Sequence, residues 1–331
     1  MGRRGWWLAG MGVAALGYVG VRGLRALLGW RPDAAEEFLR WTGPTATGID
    51  VGSGRVDLPI FYYRDDSFLG IFTADREAVR ALLPSDRLHP VVTPGGRALV
   101  GIAAFHYIHT TIGPYGEVAI ALLCTYGRPA PPGLPLLLES RFPGWGAFIL
   151  HLPVTTRIAR DAGRVIYGYA KFLADMDFEK TPAFQRVRLS EGGRHILTLT
   201  VRSSGPVIRD LRPLVTFSVR DGALIRTTIP IYAVYQLGLR PGSGALILGD
   251  HPVADQLRSL DLSPVAVATR NYLVRYAILP AGEAIDSVAR PHAPYPGEDR
   301  PVARLTVRYG EAATPVIIHS PSEDPGGLRE R

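Results

Sequence analysis

From about residue 49 the chain alternates short apolar runs with turn residues. Such runs, rich in β-branched and aromatic side chains and bounded by Gly, Pro, Asp or Asn, predict strands. They fall at residues 59–63, 67–72, 97–109, 117–126, 164–169, 172–178, 185–189, 195–201, 215–220, 223–230, 231–238 and 273–279. The long runs 97–109 and 117–126 are joined by Thr110-Thr111-Ile112-Gly113-Pro114-Tyr115-Gly116, which is turn punctuation. Helical signals are fewer. Asp75 is a candidate N-cap for a helix over 76–83 that stops at Pro84, and Asp250 and His251 are placed to cap one over 250–260. Many strands with few short helices predict a closed or sandwiched antiparallel β domain, mainly β within the α+β class.

The two ends differ in character. Residues 6–21 are 16 uncharged, mostly apolar positions with Arg3 and Arg4 before them and Arg22 and Arg25 after. A spanning helix needs roughly 20 residues, which snorkelling arginines can supply. Residues 1–32 are therefore expected as an apolar helix that anchors the chain to a membrane or lies in its interface. A cleaved signal, or a helix packed on the domain, is the alternative. Residues 33–47 read as a linker with a short helix at 34–41, residues 48–286 as the β domain, and 287–331 as a Pro-rich extension with one strand pair at 302–309 and 314–319. Residues 129–146, rich in Pro and Gly, read as an excursion from the core with a helical piece at 134–140. The location expected is membrane-associated through one N-terminal anchor, or cytoplasmic.

Composition narrows the chemistry. The net charge is +7, but the cations are scattered, with no basic run, zinc spacing or RNA-binding signature. No nucleic-acid partner is expected. There is no Gly-rich nucleotide loop and no nucleophile elbow. His106 and His109 would point to opposite faces of a strand. No metal and no cofactor are expected. The single Cys124 lies in an apolar run and reads as a small buried hydrophobe. Of 37 Lys+Arg residues only Lys171 and Lys180 are lysines. A lysine kept where arginine serves elsewhere is a candidate for amine chemistry, because burial can free its lone pair. Lys180, before Thr181-Pro182, reads as a strand end. Lys171 sits among Gly168, Tyr169, Ala170, Phe172 and Leu173, with no carboxylate in sequence until Asp175. Desolvation there would lower the amine pKa.

Gly163-Arg164 followed by Gly168-Tyr169-Ala170-Lys171 resembles the lysine segment of the acetoacetate decarboxylase family. Further pieces are similar in order: Arg64 with Phe68–Phe72, Asp75 and Leu82-Leu83-Pro84; Gly113–Val118; Leu248–Ala254; and Tyr276–Pro280 with Glu283. The resemblance runs from about residue 50 to 286. It implies a large, cone-like antiparallel β-barrel and a Schiff-base lysine, here Lys171. It also implies that Glu117 transfers protons, and that Arg64 faces Glu117 or the substrate carboxylate. Tyr169, Phe172 and Tyr115 would line the substrate pocket, while Arg164 would be structural. This chain has Phe172 where the decarboxylase has a second lysine, Ala170 for its proline, and Val165 for its glutamate. Imine formation is expected to survive those changes. The reaction expected is decarboxylation of a β-keto acid; aldol or dehydration chemistry through the same imine is the alternative, as is a non-catalytic, membrane-attached protein that binds apolar ligands. The partners expected are a small keto acid or apolar carbonyl compound, a second copy of the chain in a homo-oligomer, and a membrane contacted through residues 6–30.

Overall fold

The computed structural model describes residues 46–133, 142, 144–288, 290, 293–298, 300–310 and, as backbone, 316–318. The expected N-terminal apolar helix, the 34–41 helix and the helical piece at 134–140 lie outside these residues. Among the described residues no helix is long and apolar enough to cross a membrane.

The chain is mainly β. Its strands are β1 (Ala46–Asp50), β2 (Arg55–Leu58), β3 (Ile60–Ala74), β4 (Leu88–Pro90), β5 (Ala98–Thr110), β6 (Tyr115–Tyr126), β7 (Trp145–His151), β8 (Asp175–Lys180), β9 (Phe184–Glu191), β10 (Arg194–Arg202), β11 (Val207–Asp210), β12 (Leu214–Arg220), β13 (Ala223–Ile229), β14 (Ile231–Gly238), β15 (Gly244–Leu248), β16 (Ala268–Leu279), β17 (Glu283–Ser287), β18 (Leu305–Tyr309) and β19 (Val316–Ile318). Among the described residues three short helices punctuate them: α1 (Arg76–Leu82), α2 (Arg157–Tyr167) and α3 (Pro252–Ser259). Asp75 caps α1 by accepting from the Ala78 amide at 2.8 Å. The ring of His251 caps α3 by accepting from the Val253 amide.

The large sheet runs β11-β14-β16-β3-β5-β6-β7-β12-β13-β17, with β4 paired to β6. A second sheet runs β15-β10-β9-β8-β18-β19. The large sheet's pairing path ends at β11 and β17, and among the described residues no pairing joins those ends. The barrel closure expected from the resemblance is therefore not found there.

Alternation along the central strands explains the layers. Val100, Ile102 and Ala104 of β5, Val118, Ile120 and Leu122 of β6, and Phe148 and Leu150 of β7 face the main core beneath the second sheet. The intervening residues, among them Phe105, Tyr107, Ala121, Ala147 and Ile149, join a separate cluster on the opposite face. Successive side chains of a strand point to opposite faces, so one run of apolar residues serves two distinct environments. Both faces carry side chains that must avoid water, which is why β5 and β6 read as nearly continuous hydrophobic runs.

Two expectations change. The strand expected at 164–169 is the end of α2. Its buried residues Ala159, Ala162, Gly163, Ile166 and Tyr167 follow helical spacing, but Val165-Ile166-Tyr167 read alone imitates a strand. Gly168 ends the helix in the left-handed region at φ 66°. A Cβ there would lie 2.3 Å from the Val219 carbonyl oxygen, so this stop requires glycine. The strand pair expected at 302–309 and 314–319 is found as β18 and β19, but it is not set apart from the β domain: β18 pairs parallel with β8, and Arg304 N donates to Asp175 Oδ1 at 2.7 Å.

Candidate active site

Glu117 stands near the start of β6 and Lys171 four residues after α2, yet the two are one step apart in space. Val154 bridges antiparallel to Glu117 and parallel to Leu173. Its amide donates to Phe172 O at 2.9 Å, and the Val118 amide donates to Pro153 O at 3.0 Å. This single extended segment carries both residues into register. The result is a buried ion pair, Lys171 Nζ donating to Glu117 Oε2 at 2.7 Å. The carboxylate absent from the sequence neighbourhood of Lys171 is supplied from residue 117.

Four tyrosines surround the pair. Tyr107 OH donates to Glu117 Oε1 at 3.2 Å. Tyr62 and Tyr115 hydroxyls share a hydrogen bond of 3.1 Å. The Lys171 ammonium lies 5.6 Å from the Tyr115 ring centroid, a cation–π distance. Tyr169 OH bonds Thr216 Oγ1 at 2.7 Å. Burial first, and the Glu117 charge second, push the Tyr107 and Tyr115 hydroxyls well above their ordinary pKa. Burial pushes Tyr169 up to about 12. All three stay neutral and protonated at ordinary pH, so they can donate hydrogen bonds to an anion or a developing oxyanion.

The lysine stem needs a glycine beneath it. A Cβ on Gly163 would lie 2.4 Å from Lys171 Cδ and 2.5 Å from Cε. Gly163→Ala should stabilise an ordinary exposed helix by roughly 0.5–1 kcal/mol. Here it is expected to push the Lys171 stem aside. We expect at least about a tenfold loss in labelling of Lys171 by a carbonyl reagent, from a protein with wild-type circular dichroism. Undiminished labelling would show that the stem is free to relocate.

Of the residues expected in the pocket, Tyr115 and Tyr169 join Lys171 and Glu117, while Arg64 and Phe172 do not. Arg64 is exposed, because β3 carries register shifts against β5 between Tyr62 and Asp65. Strict alternation from the inward Tyr62 would turn Arg64 inward. The bulge inserts a residue, so Asp65 takes the inward place. Phe172 follows Lys171 in an extended segment and points the other way, into the main core, where its ring meets Tyr295 at 5.1 Å.

The cation brought to this face is Arg275, which the sequence reading missed. A second register shift, in β14–β16 pairing, leaves Leu273 exposed and turns Arg275 inward. Its Nη1 donates to Asp65 Oδ2 at 2.7 Å, both side chains buried. Burial raises the Asp65 pKa against the pull of Arg275. No local signal links residues 210 apart; only the paired bulges do.

Arg275 and Phe105 border a slot of about 320 Å³ on the inner face of the large sheet, with Ala103, Ala119, Ala121, Ile149 and Thr216 among its walls. Glu117 is one alternation below Ala119 on the same face of β6, and Phe105 pairs with Glu117 across β5–β6. The ion pair thus lies just past the slot's edge. A second, polar cleft of about 380 Å³ meets residues 168–171 beside Arg220, Asp221 and the 294–296 segment. On that side Arg164 Nε donates to Lys171 O at 2.6 Å and its Nη2 to Pro296 O at 2.7 Å. Among the described residues no group of three His, Cys, Asp or Glu is arranged to hold a metal ion.

No curated protein matches the chain. Among solved structures, an acetoacetate decarboxylase aligns with TM-score 0.54 at 19% identity, over 70% of this chain and 91% of its own. The acetoacetate decarboxylase of Legionella pneumophila aligns with TM-score 0.53 at 15% identity, over 75% and 91%. The enduracididine biosynthesis enzyme MppR, complexed with pyruvate, aligns with TM-score 0.50 at 16% identity, over 71% and 94%. At these identities the likeness is one of fold. The family model described as acetoacetate decarboxylase (ADC) matches residues 51–288, more than half of the sequence, and on that match the chain belongs to the acetoacetate decarboxylase family.

Proposed function

We propose that the protein is a Schiff-base enzyme that decarboxylates a β-keto acid through Lys171. The observation that carries this reading is the buried pair of Lys171 with Glu117 at 2.7 Å. An isolated buried ammonium would be costly. One held against a carboxylate can hand over a proton without leaving net charge behind.

The reaction begins when Glu117 takes a proton from Lys171, and the neutral amine attacks the substrate ketone carbon. The carbinolamine is protonated on its hydroxyl by Glu117 and loses water to give an iminium. The carbon–carboxylate bond breaks, its electron pair moves toward the iminium nitrogen, and CO2 leaves. The resulting enamine takes a proton from solvent on carbon, and water hydrolyses the product imine to release the ketone and regenerate Lys171. Tyr107, bonded to the second Glu117 oxygen, holds that carboxyl in orientation. Tyr115 offers its ring face to the nitrogen cation. Arg275 is the buried cation nearest in kind to what a substrate carboxylate requires, a role first expected of Arg64. The apolar slot favours one second reading, aldol or dehydration chemistry through the same imine on a larger carbonyl compound.

The test is trapping. The protein is incubated with acetoacetate and with longer β-keto acids, reduced with borohydride and digested. The expected result is a reduced adduct on Lys171. Absence of any adduct from folded protein would remove the imine and leave a binding protein.

A further inference from the structure

The inner face of the large sheet is built unlike its outer face. On the outer face β5 and β6 present Val100, Ile102, Val118, Ile120 and Leu122 to the core. On the inner face the same strands present Gly101, Ala103, Ala119 and Ala121, and the facing strands add Ala147 and Ala233. Gly101, Ala103 and Ala119 are not fully buried although strands flank them on both sides, so solvent reaches the middle of this wall. Protein interiors are packed to crystal-like density, and an apolar void forfeits contacts on every wall. A row of small residues facing an open slot of about 320 Å³ is a shape left for a guest.

The guest's chemistry follows from the walls. Between the ion pair and Leu123 the β6 wall spans six residues, about 20 Å at strand rise. Leu69, Ile71, Leu123, Trp145, Leu214 and Ile231 give it apolar sides. Polar groups stand at its border: Asp210 with Arg212 Nε at 2.7 Å, Arg270 over the Tyr235 ring at 4.9 Å, and Arg275. Apolar walls with a few placed polar groups describe a small-molecule site.

We propose that the slot binds an extended apolar tail, so that the substrate is a carbonyl compound with a medium-length acyl or comparably apolar chain rather than a short keto acid. The carbonyl end of such a molecule lies toward Lys171, and in that respect the proposal rests on the imine reading. Ala119 and Ala121 set the room available to the tail.

Two measurements separate this proposal from that reading. In the first, trapping by borohydride compares acetoacetate with the β-keto derivative of dodecanoic acid. The expected half-labelling concentration is at least about tenfold lower for the longer acid, since each buried methylene adds transfer free energy. That preference should shrink at least about tenfold in Ala121→Phe. In the second, Lys171→Met protein is loaded with a polarity-sensitive dye, which is displaced by a series of methyl ketones from acetone to undecanone. Displacement that strengthens with chain length supports the slot even where no imine can form. Displacement independent of chain length overturns it, whether or not trapping succeeds. Trapping equal for both acids and unchanged in Ala121→Phe also overturns it, while leaving the imine intact. The comparison of the two acids in the wild-type protein needs no variant, and equal trapping there overturns the proposal even if Ala121→Phe misfolds.

Discussion

Lys171→Arg and Lys171→Met are each expected to abolish borohydride-trapped adduct and to lower turnover of the keto acid by about 10³-fold or more. A covalent step has no substitute once its nucleophile is gone. The two variants should part in stability. Arginine keeps a cation beside Glu117, although its larger head must fit a space shaped by Gly163 and Tyr115. Methionine removes the cation and leaves Glu117 buried without its partner, which costs stability. A thermal melt beside each assay distinguishes lost chemistry from lost fold. Turnover by folded Lys171→Arg within about tenfold of wild type would end the imine proposal, because guanidinium stays protonated and cannot form the adduct.

Glu117→Gln is expected to act on both chemistry and stability. Loss of a positioned proton-transfer group lowers rate by about 10²–10⁴-fold. Glutamine keeps the shape and can still accept from Tyr107, but it leaves the Lys171 ammonium buried without its anion. Breaking a buried pair on one side costs about 3–5 kcal/mol, so the melting midpoint should fall clearly. The two effects separate with temperature. If Glu117 only holds the fold, activity well below the midpoint returns toward wild type. If it moves protons, the deficit persists in fully folded protein. A variant as active as wild type at low temperature would leave Glu117 a structural partner.

Much of this site can be found in one dimension. Lys171 stands out because lysine is nearly absent, and it lies in a segment whose glycines, Gly163 and Gly168, have separate steric duties. Glu117 stands out only through the resemblance of the turn before it. The failures are equally specific. The resemblance places Arg64 and Phe172 in the pocket, and the structure does not. A bulge in β3 turns Arg64 out, and alternation after Lys171 turns Phe172 away. Arg275 has no sequence signal because its partner Asp65 lies on another strand and both are turned inward by register shifts. Residues 164–169 imitate a strand because a short β-branched run carries no period of its own, although the helix continues to Tyr167.

What the sequence by itself determined is the class of fold, the turn and cap positions, and the lysine from which the imine proposal starts. Those depend on alternation, on Gly, Pro and Asp at chain reversals, and on composition, all of which are local. Only the tertiary structure decided that the amine meets a carboxylate, that Arg275 is turned to the same side, and that an apolar slot lies further along the same face of β6. Each depends on register between strands far apart in sequence, where a one-residue slip exchanges inside for outside.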